Sequence, residues 1–136
     1  MHVGVGYSEN HDPDAAGAHA ARLALKGNPW ERPCDMVLLF STARHDPWIL
    51  QDAVIGVLGN QARIIGGGAV GTITNDSYGY AGDQVGLAAI WLEKESIDLV
   101  AEPNLDTRDE FEIGEALGRR LVELGIKRES SAMLFY

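Results

Sequence analysis

Residues 62–73 read Ala-Arg-Ile-Ile-Gly-Gly-Gly-Ala-Val-Gly-Thr-Ile, an apolar run followed by three consecutive glycines and a fourth at Gly71. Because glycines carry no side chain, a ligand or another part of the chain can approach the backbone closely here. Gly66, Gly68 and Gly71 have the spacing of a dinucleotide-binding fingerprint, which also requires a helix immediately after the glycines. Residues 72–84 are instead rich in turn formers and lack a helical apolar period. The sequence therefore predicts a strand in this stretch and argues against a Rossmann fold.

Two helices ahead of this stretch begin with the same dipeptide. Asp12-Pro13 and Asp46-Pro47 each place an N-cap aspartate before a proline at the first helical position. The first helix is rich in alanine, so its side-chain layer is thin and we expect it to lie close to its sheet. The second has an apolar stripe that begins at Trp48. Gly27 and Gly59 fit the ends of the two helices.

Apolar runs predict the strands of the sheet. They lie at residues 3–7, 36–40, 64–73, 85–92, 97–101 and 132–136. The run at 36–40 is apolar at every position, which is typical of a central strand covered on both faces. Turn-forming residues precede the run at 85–92, and they predict that this strand folds back antiparallel on the strand at 64–73.

A third helix is predicted to begin at a capping box, Thr107-x-x-Glu110, in which each side chain satisfies a backbone N–H at the helix start. Gly125 fits the end of this helix. Gly114 and Gly118 are four residues apart, and they predict close packing on one helix face.

The order of these elements predicts an α/β fold, with α+β as the alternative. We expect a mixed β-sheet with about three helices packed on its faces, in a single domain over residues 1–136. Because the final predicted element is an apolar strand with no helix after it, we also expect this domain to be part of a longer protein.

Composition and charge narrow the range of functions. The 136 residues carry a formal net charge of −9, and the isoelectric point is near 4.7. Nucleic-acid binding depends on clustered Lys and Arg, and the sequence has no such cluster. No apolar run approaches the ~20 residues of a membrane span, and the sequence does not begin like a signal peptide, so we expect a cytoplasmic protein. The single cysteine, Cys34, excludes an internal disulfide and favours a small buried hydrophobic role.

The residues that could carry chemistry form no recognised catalytic or metal motif. No two of the four histidines have the i, i+4 spacing of a helical metal site, so neither a metal nor a cofactor is predicted. His45 beside Asp46 resembles a base with its orienting acid, yet Asp46 is already explained as a helix cap. Ser8 and Ser41 each follow a predicted strand, where α/β proteins place ligands, but neither has the Gly-x-Ser-x-Gly surroundings of a nucleophile.

Turn or capping roles are the alternative for both serines. We expect Trp48 and Trp91 in the core and Trp30 over a loop, rather than in the wall of a pocket. If a ligand pocket exists, five residues are the candidates for its lining. These are Ser8, Ser41, Gly67, Gly68 and Gly71.

The motifs, taken in order, resemble the N-terminal part of the FIST domain family. The shared features begin with Val-Gly-Tyr-Ser at residues 5–8 and the alanine-rich helix after it. They continue with Asp-Met-Val-Leu-Leu-Phe-Ser at 35–41 and Ile-Ile-Gly-Gly-Gly-Ala-Val-Gly at 64–71. The strand at 85–92 and the late helix with Gly114 match as well, so the resemblance covers nearly the whole chain.

The resemblance implies a sensory input domain of a signal-transduction protein rather than an enzyme. FIST domains occur beside signalling output domains and are proposed to bind small ligands such as amino acids. The implied partners are therefore a small-molecule ligand, with amino acids as candidates, and a signalling output domain or protein. Family members usually continue into a second portion, and they often carry a small polar residue where this chain has Gly68, Ala69 and Val70.

Three hypotheses follow for the function. The first is the ligand-binding sensory domain, which requires a concave site near the glycine stretch. The second is an enzyme, or part of one, that uses Ser8, Ser41 or His45, and it requires these side chains to converge within hydrogen-bond reach. The third is a protein-interaction module whose sheet edge at residues 133–136 pairs with a second copy, which would give a homodimer.

Overall fold

The computed structural model describes residues 1–26, 28, 30–93 and 97–126. The chain divides into two compact units, Met1–Ser96 and Ile97–Tyr136. The first unit contains β1 (His2–Ser8), α1 (Pro13–Leu25), β2 (Met36–Thr42), α2 (Pro47–Leu58), β3 (Arg63–Ala69), β4 (Gly71–Ile73), β5 (Tyr78–Tyr80) and β6 (Val85–Trp91), and the second contains α3 (Glu110–Glu123). Within these described ranges, no helix has the length and apolar character needed to cross a lipid bilayer.

Within the described residues, the main sheet has four strands in the order β1-β6-β2-β3. β6 runs antiparallel to both of its neighbours, whereas β2 and β3 are parallel, so β1, β2 and β3 all run in one direction. β4 and β5 form a separate two-stranded antiparallel sheet. The mixed sheet and the three helices confirm the predicted α/β class.

Helix α1 lies against β1 with almost no side-chain layer between the two backbones. A Cβ atom added to Gly4 would overlap the carbonyl oxygen of Ala24, and one added to Gly6 would overlap that of Ala20. Both alanines are fully buried. Small residues on the helix and on the strand therefore let the backbones touch, which confirms the close approach that the alanine-rich sequence predicts.

The hydrophobic core lies on the face of the main sheet that α1 and α2 cover. Val37 and Leu39 of β2 belong to it, together with Leu50 of α2. Trp91 of β6 is fully buried there, and its Nε1 donates a hydrogen bond to the carbonyl oxygen of Arg32 at 3.0 Å. β2 is a central strand, as predicted, but its residues on the opposite face are only half-buried, so full cover exists on one face alone.

Trp48 is 74% exposed, so the prediction that it belongs to the core is wrong. It lies in the first turn of α2, whose apolar residues occupy more than one face of the helix. The face that packs is set by the sheet, and its buried positions are Leu50, Ala53, Val54 and Leu58. Cys34 joins the core as predicted, and its burial raises the pKa of the thiol.

Both aspartate-proline helix starts are confirmed. The carboxylate of Asp12 caps α1 and that of Asp46 caps α2, each by accepting hydrogen bonds from two backbone N–H groups of the first turn. Helix α2 ends at Gly59, whose φ of 87° lies in the left-handed region that favours glycine. The predicted end of α1, Gly27, lies outside the described residues.

The glycine stretch is not one strand, and the antiparallel partner predicted for it is wrong. β3 ends at Ala69, and β4 pairs instead with β5 across a tight turn, in which the N–H of Thr74 donates to the carbonyl of Ser77 at 2.8 Å. This hairpin closes a shorter loop than the predicted pairing would. β6 inserts between β1 and β2. A strand rather than a helix follows the glycines, which confirms the exclusion of a Rossmann fold.

In the second unit, α3 is confirmed but its predicted start is wrong. Asp109 caps the helix by accepting hydrogen bonds from two backbone N–H groups, while the hydroxyl of Thr107 donates to the carbonyl of Asn104. Residues 97–101, predicted as a strand, have no regular secondary structure. The strand predicted at 132–136 lies outside the described residues.

The described residues do not form the close packing predicted at the two glycines of α3. A Cβ atom at Gly114 or Gly118 would meet no described atom within 4 Å. The clearest tertiary contact of this unit is instead ionic, because the carboxylate of Glu102 accepts hydrogen bonds from both Arg108 and Arg120. These two guanidinium groups lower the pKa of Glu102.

Candidate functional site

A cleft of about 360 Å³ opens at the carboxyl ends of β2 and β3, on the face that α2 covers. Twelve residues line it: Leu39, Ser41, Thr42, Ala43, His45, Pro47, Leu50, Gln51, Ile64, Gly66, Gly67 and Gly68. The carboxyl ends of parallel strands are the usual place for ligands in α/β proteins. The cleft therefore lies where the fold class favours a binding site.

Each wall of the cleft comes from a different element. β2 contributes Leu39 and Ser41, which share the helix-covered face because side chains alternate along a strand. The start of α2 contributes Leu50 and Gln51, held in place by the Asp46 cap. β3 contributes its glycines, so that part of the wall is backbone without side chains.

The glycines of β3 have two different roles. A Cβ atom on Gly66 would overlap the carbonyl oxygen of Leu39, so this glycine permits the close contact between β2 and β3. A Cβ atom on Gly68 would meet no atom within 4 Å. Gly68 is also the register partner of Ser41, so a side chain placed at 68 would point to the same face of the sheet. A larger residue at 68 is therefore sterically allowed and would occupy part of the cleft.

Three of the five predicted site residues line the cleft, and two do not. Ser41, Gly67 and Gly68 lie in its wall. Ser8 and Gly71 lie elsewhere in the same unit. Whether any of the five contacts a ligand stays a prediction.

The two outlying residues have local structural roles. Ser8 lies in the same row across the sheet as Ser41, because both pair with Val85 of β6, but that strand separates them. The Oγ atom of Ser8 accepts a hydrogen bond from the backbone N–H of Asn10 at 3.3 Å, which is the turn role considered for it. Gly71 belongs to the β4–β5 hairpin, where the ring of its cross-strand partner leaves no room for a Cβ atom.

Much of the lining of the cleft was not predicted from the sequence. Thr42, Gln51 and Ile64 are not among the predicted site residues, and His45 is considered there only as a base. Gln51 carried a usable signal, because it lies four residues after Pro47 and so shares its helix face. A polar side chain on an apolar helix face suggests a role in polar contact. Thr42 and Ile64 carried no comparable signal, because β-branched and apolar residues are expected in any strand of a sheet, whether or not it lines a site.

A short hydrogen-bond network holds the residue 81–84 loop against the end of β2. The backbone N–H of Thr42 donates to the carbonyl of Gln84 at 3.0 Å, and the hydroxyl of Thr42 donates to the carbonyl of Gly82. Nε2 of His45 lies 2.9 Å from the carbonyl oxygen of Asp83. A carbonyl oxygen only accepts, so Nε2 carries the proton of this bond. His45 therefore joins the cleft to the loop that follows the β4–β5 hairpin.

The described lining is polar in places but includes no Asp, Glu, Lys or Arg. Ser41 and His45 both line the cleft, yet no hydrogen bond joins them in the described part of the chain. The nucleophile–base pair that the enzyme hypothesis requires is therefore not formed in this structure. The described residues also contain no group of three or more His, Cys, Asp or Glu placed to hold a metal ion.

Comparison with known proteins identifies the family. The family model named FIST N domain matches residues 35–136, which is three quarters of the chain and includes every residue that lines the cleft. β1 and α1 precede the match. The comparison with curated proteins gives no match. Since the family model covers well over half of the chain, the chain belongs to the FIST N domain family, a family of sensory domains of signal-transduction proteins that are not typically catalytic.

Proposed function

We propose that this chain is a sensory input domain that binds a small polar ligand, an amino acid or a close derivative, in the cleft between β2, β3 and α2. The ligand is bound and released without chemical change. The observation that carries the proposal is the glycine-lined cleft itself, with open space beside Gly68.

The size and the lining of the cleft support a small ligand. A volume of about 360 Å³ falls within the roughly 300–1,000 Å³ that is typical of small-molecule sites. Apolar side chains from Leu39, Leu50 and Ile64 alternate with a few polar groups, as in most such sites. The exposed glycine backbone adds N–H and C=O groups that a ligand can reach without a side chain in the way.

The β4–β5 hairpin supplies a route from the cleft to a signalling output domain or protein. The loop that His45 and Thr42 hold against β2 follows β5 directly in sequence. A ligand that displaced His45 would therefore also displace this loop and the hairpin attached to it. The hairpin exposes Ile73, Tyr78 and Tyr80, a cluster of large side chains suited to contact with a partner.

We further propose that residues 1–136 form a single domain, that the protein is cytoplasmic and that it forms a homodimer through a sheet edge.

The test is a thermal-shift screen of the full 136-residue chain against amino acids, their amides and small organic acids. A ligand at 100 times its dissociation constant adds about 2.7 kcal/mol to the free energy of unfolding, which moves the melting temperature of a domain this size by several degrees. The screen is repeated with Gly68→Val, which fills open space in the cleft, and with Gly56→Val, the same change at an open glycine of α2 that does not line the cleft.

We expect a stabilising ligand to act on the wild type and on Gly56→Val, and to lose its effect on Gly68→Val. A ligand that stabilises Gly68→Val as strongly as the wild type would place the binding site elsewhere. Silence of the wild type across the whole panel would contradict the proposed ligand class.

A further inference from the structure

His45 is held at the end of β2 by one of its two ring nitrogens. The side chain is only 5% exposed, and its Nε2 donates to the carbonyl oxygen of Asp83 at 2.9 Å. With the proton on Nε2, the neutral imidazole presents Nδ1 as a hydrogen-bond acceptor. The contact with Asp83 therefore fixes both the tautomer and the orientation of the ring.

The second ring nitrogen, Nδ1 of His45, is buried and forms no hydrogen bond in the described part of the chain. Buried polar atoms in folded proteins are nearly always paired, and an unpaired one calls for an explanation. Because His45 lines the cleft, a ligand bound there can supply the missing donor.

The charge of the lining restricts what can enter. None of the described residues that line the cleft is Asp, Glu, Lys or Arg. A carboxylate placed deep in the cleft would lose its hydration without gaining a cation, which is costly. A neutral N–H or O–H group on an aliphatic body meets no such obstacle, because Leu39, Leu50 and Ile64 provide apolar contact.

We propose that Nδ1 of His45 is the acceptor that recognises the ligand of this cleft. The ligand enters with an N–H or O–H group foremost, places its aliphatic part against Leu39, Leu50 and Ile64, and leaves any carboxylate at the solvent mouth. This inference rests on the proposed function and names the chemistry of the group that the site recognises. Because Nδ1 is closed to solvent, binding also shifts the turn at residues 43–45.

The experiment uses three compounds with one carbon skeleton. Leucine carries both an ammonium and a carboxylate group, leucinol carries donors without a carboxylate, and 4-methylpentanoate carries the carboxylate without a donor. Binding to the full chain is measured by titration with amide chemical shifts as the readout, which reports the residues that respond. The signals of Ala43 and His45 follow the turn, and those of Gly66 and Gly68 follow the opposite wall of the cleft.

Two variants of His45 separate recognition from structure. In His45→Gln, the side-chain amide N–H₂ takes the position of Nε2 and keeps the donor to Asp83, but the Nδ1 acceptor is lost. In His45→Asn, the side chain is too short to reach Asp83, so this variant reports the structural bond. We expect the melting temperature of His45→Gln to lie within a few degrees of that of the wild type. We expect this variant to bind leucinol roughly tenfold more weakly, as for the loss of one hydrogen bond. We expect His45→Asn to lower the melting temperature.

The outcomes distinguish this inference from the proposed function. Binding of leucinol but not of 4-methylpentanoate, with weakening in His45→Gln, supports the inference. Tight binding of 4-methylpentanoate, or unchanged leucinol binding to a folded His45→Gln, overturns it while leaving ligand binding in the cleft intact, provided that Gly68→Val still abolishes that binding. Failure of all three compounds to shift any cleft signal overturns both.

Discussion

At the scale of single residues, the tryptophans show how position decides the energetic role of one side chain. Trp91 lies in β6, has no exposed surface and donates its Nε1 proton to the carbonyl of Arg32. Trp48 lies in the first turn of α2 and is 74% exposed. The two residues look equally apolar in sequence, yet only one contributes to the core.

We therefore predict very different effects of removing the two indoles. Trp91→Ala leaves a large cavity and an unpaired carbonyl, and it should lower the free energy of unfolding by about 3–5 kcal/mol. Trp48→Ala should change it by less than about 0.5 kcal/mol. Urea unfolding followed by far-UV circular dichroism measures both. Equal losses in the two variants would contradict the burial assigned to each side chain.

Asp35 connects two segments of the first unit through its carboxylate. Its carboxylate forms a two-bond contact with the guanidinium group of Arg32, with both distances 3.1 Å, and accepts the backbone N–H of Leu92 at 2.7 Å. The Arg32 hydrogen bonds, followed by the Leu92 N–H, lower the pKa of Asp35. The residue joins the segment before β2 to the end of β6.

This contact predicts a stability difference that depends on pH. Because the folded-state pKa of Asp35 lies below the unfolded value near 4, the stabilisation is complete above about pH 5 and is lost as pH falls through the folded-state pKa. Asp35→Asn should cost on the order of 1 kcal/mol at pH 7, and the cost should shrink as the pH falls through the folded-state pKa of Asp35. Asp52→Asn, the same change at an exposed aspartate of α2, is the control and should show no such difference. A cost for Asp35→Asn that does not shrink on acidification would show that geometry rather than charge is responsible.

At the scale of secondary structure, the contact between α1 and β1 depends on glycine. Gly4 and Gly6 face carbonyl oxygens of the helix, with no room for a methyl group. In a usual helix–sheet contact, by contrast, interdigitated side chains can change their rotamers to accommodate a substitution. A change here must move a whole backbone segment.

Alanine substitutions at two glycines should therefore have opposite signs. Gly6→Ala should destabilise the protein by about 3 kcal/mol or more, since the methyl group overlaps the carbonyl of Ala20. Gly56→Ala, in the interior of α2 with no atom within 4 Å of the added Cβ, should stabilise it by about 0.5–1 kcal/mol because alanine has the higher helix propensity. Thermal unfolding of the two variants beside the wild type is the measurement. A stable Gly6→Ala variant would contradict the backbone contact.

The elements that could be predicted from sequence are those with a local cause. Asp12 and Asp46 act as helix caps through N–H groups two and three residues away, and that spacing can be read directly. Strand pairing has no local signature of this kind. The turn-rich segment after β3 predicted a hairpin, and a hairpin does form there, but between β4 and β5. The strand predicted to complete it, β6, pairs instead with β1 and β2, which come much earlier in the chain. The capping box predicted at Thr107 does not form, because Asp109, two residues later, caps the helix instead.

At the scale of the whole molecule, the main hydrophobic core belongs to the first unit. Among the described residues, every member of this cluster lies between Ala16 and Trp91. The N-terminal ammonium group also pairs with Glu93 at the end of this segment, at 3.0 Å. The cleft and its glycines belong to the same unit.

We predict that a chain of residues 1–93 folds on its own. It should show one cooperative thermal transition and the fluorescence of a buried Trp91, because no core side chain is removed. Circular dichroism and tryptophan emission during heating measure both properties. A truncated chain without a cooperative transition would mean that the later residues are needed to complete this core.

The candidate site illustrates what the sequence leaves open. Ser41 and the glycines of β3 were found because strand ends and glycine runs have known uses in α/β proteins. His45, Gln51 and Ile64 join them only through the parallel pairing of β2 with β3 and the placement of α2 over both. Their proximity is a property of the topology, which single-residue patterns do not contain.

The strand order also governs how the protein is made. β6 separates β1 from β2, yet among the described strands of the main sheet it is the last to be synthesised, and about forty residues lie between Thr42 and Val85. At roughly 5–20 residues per second, the ribosome takes several seconds to deliver the strand that joins the two. During that interval β1 and β2 have no common neighbour, and their unpaired edges are open to other nascent chains or to a chaperone. The late central strand therefore makes the emergence of β6, rather than the emergence of the first helix, the event that commits this sheet to its native pairing.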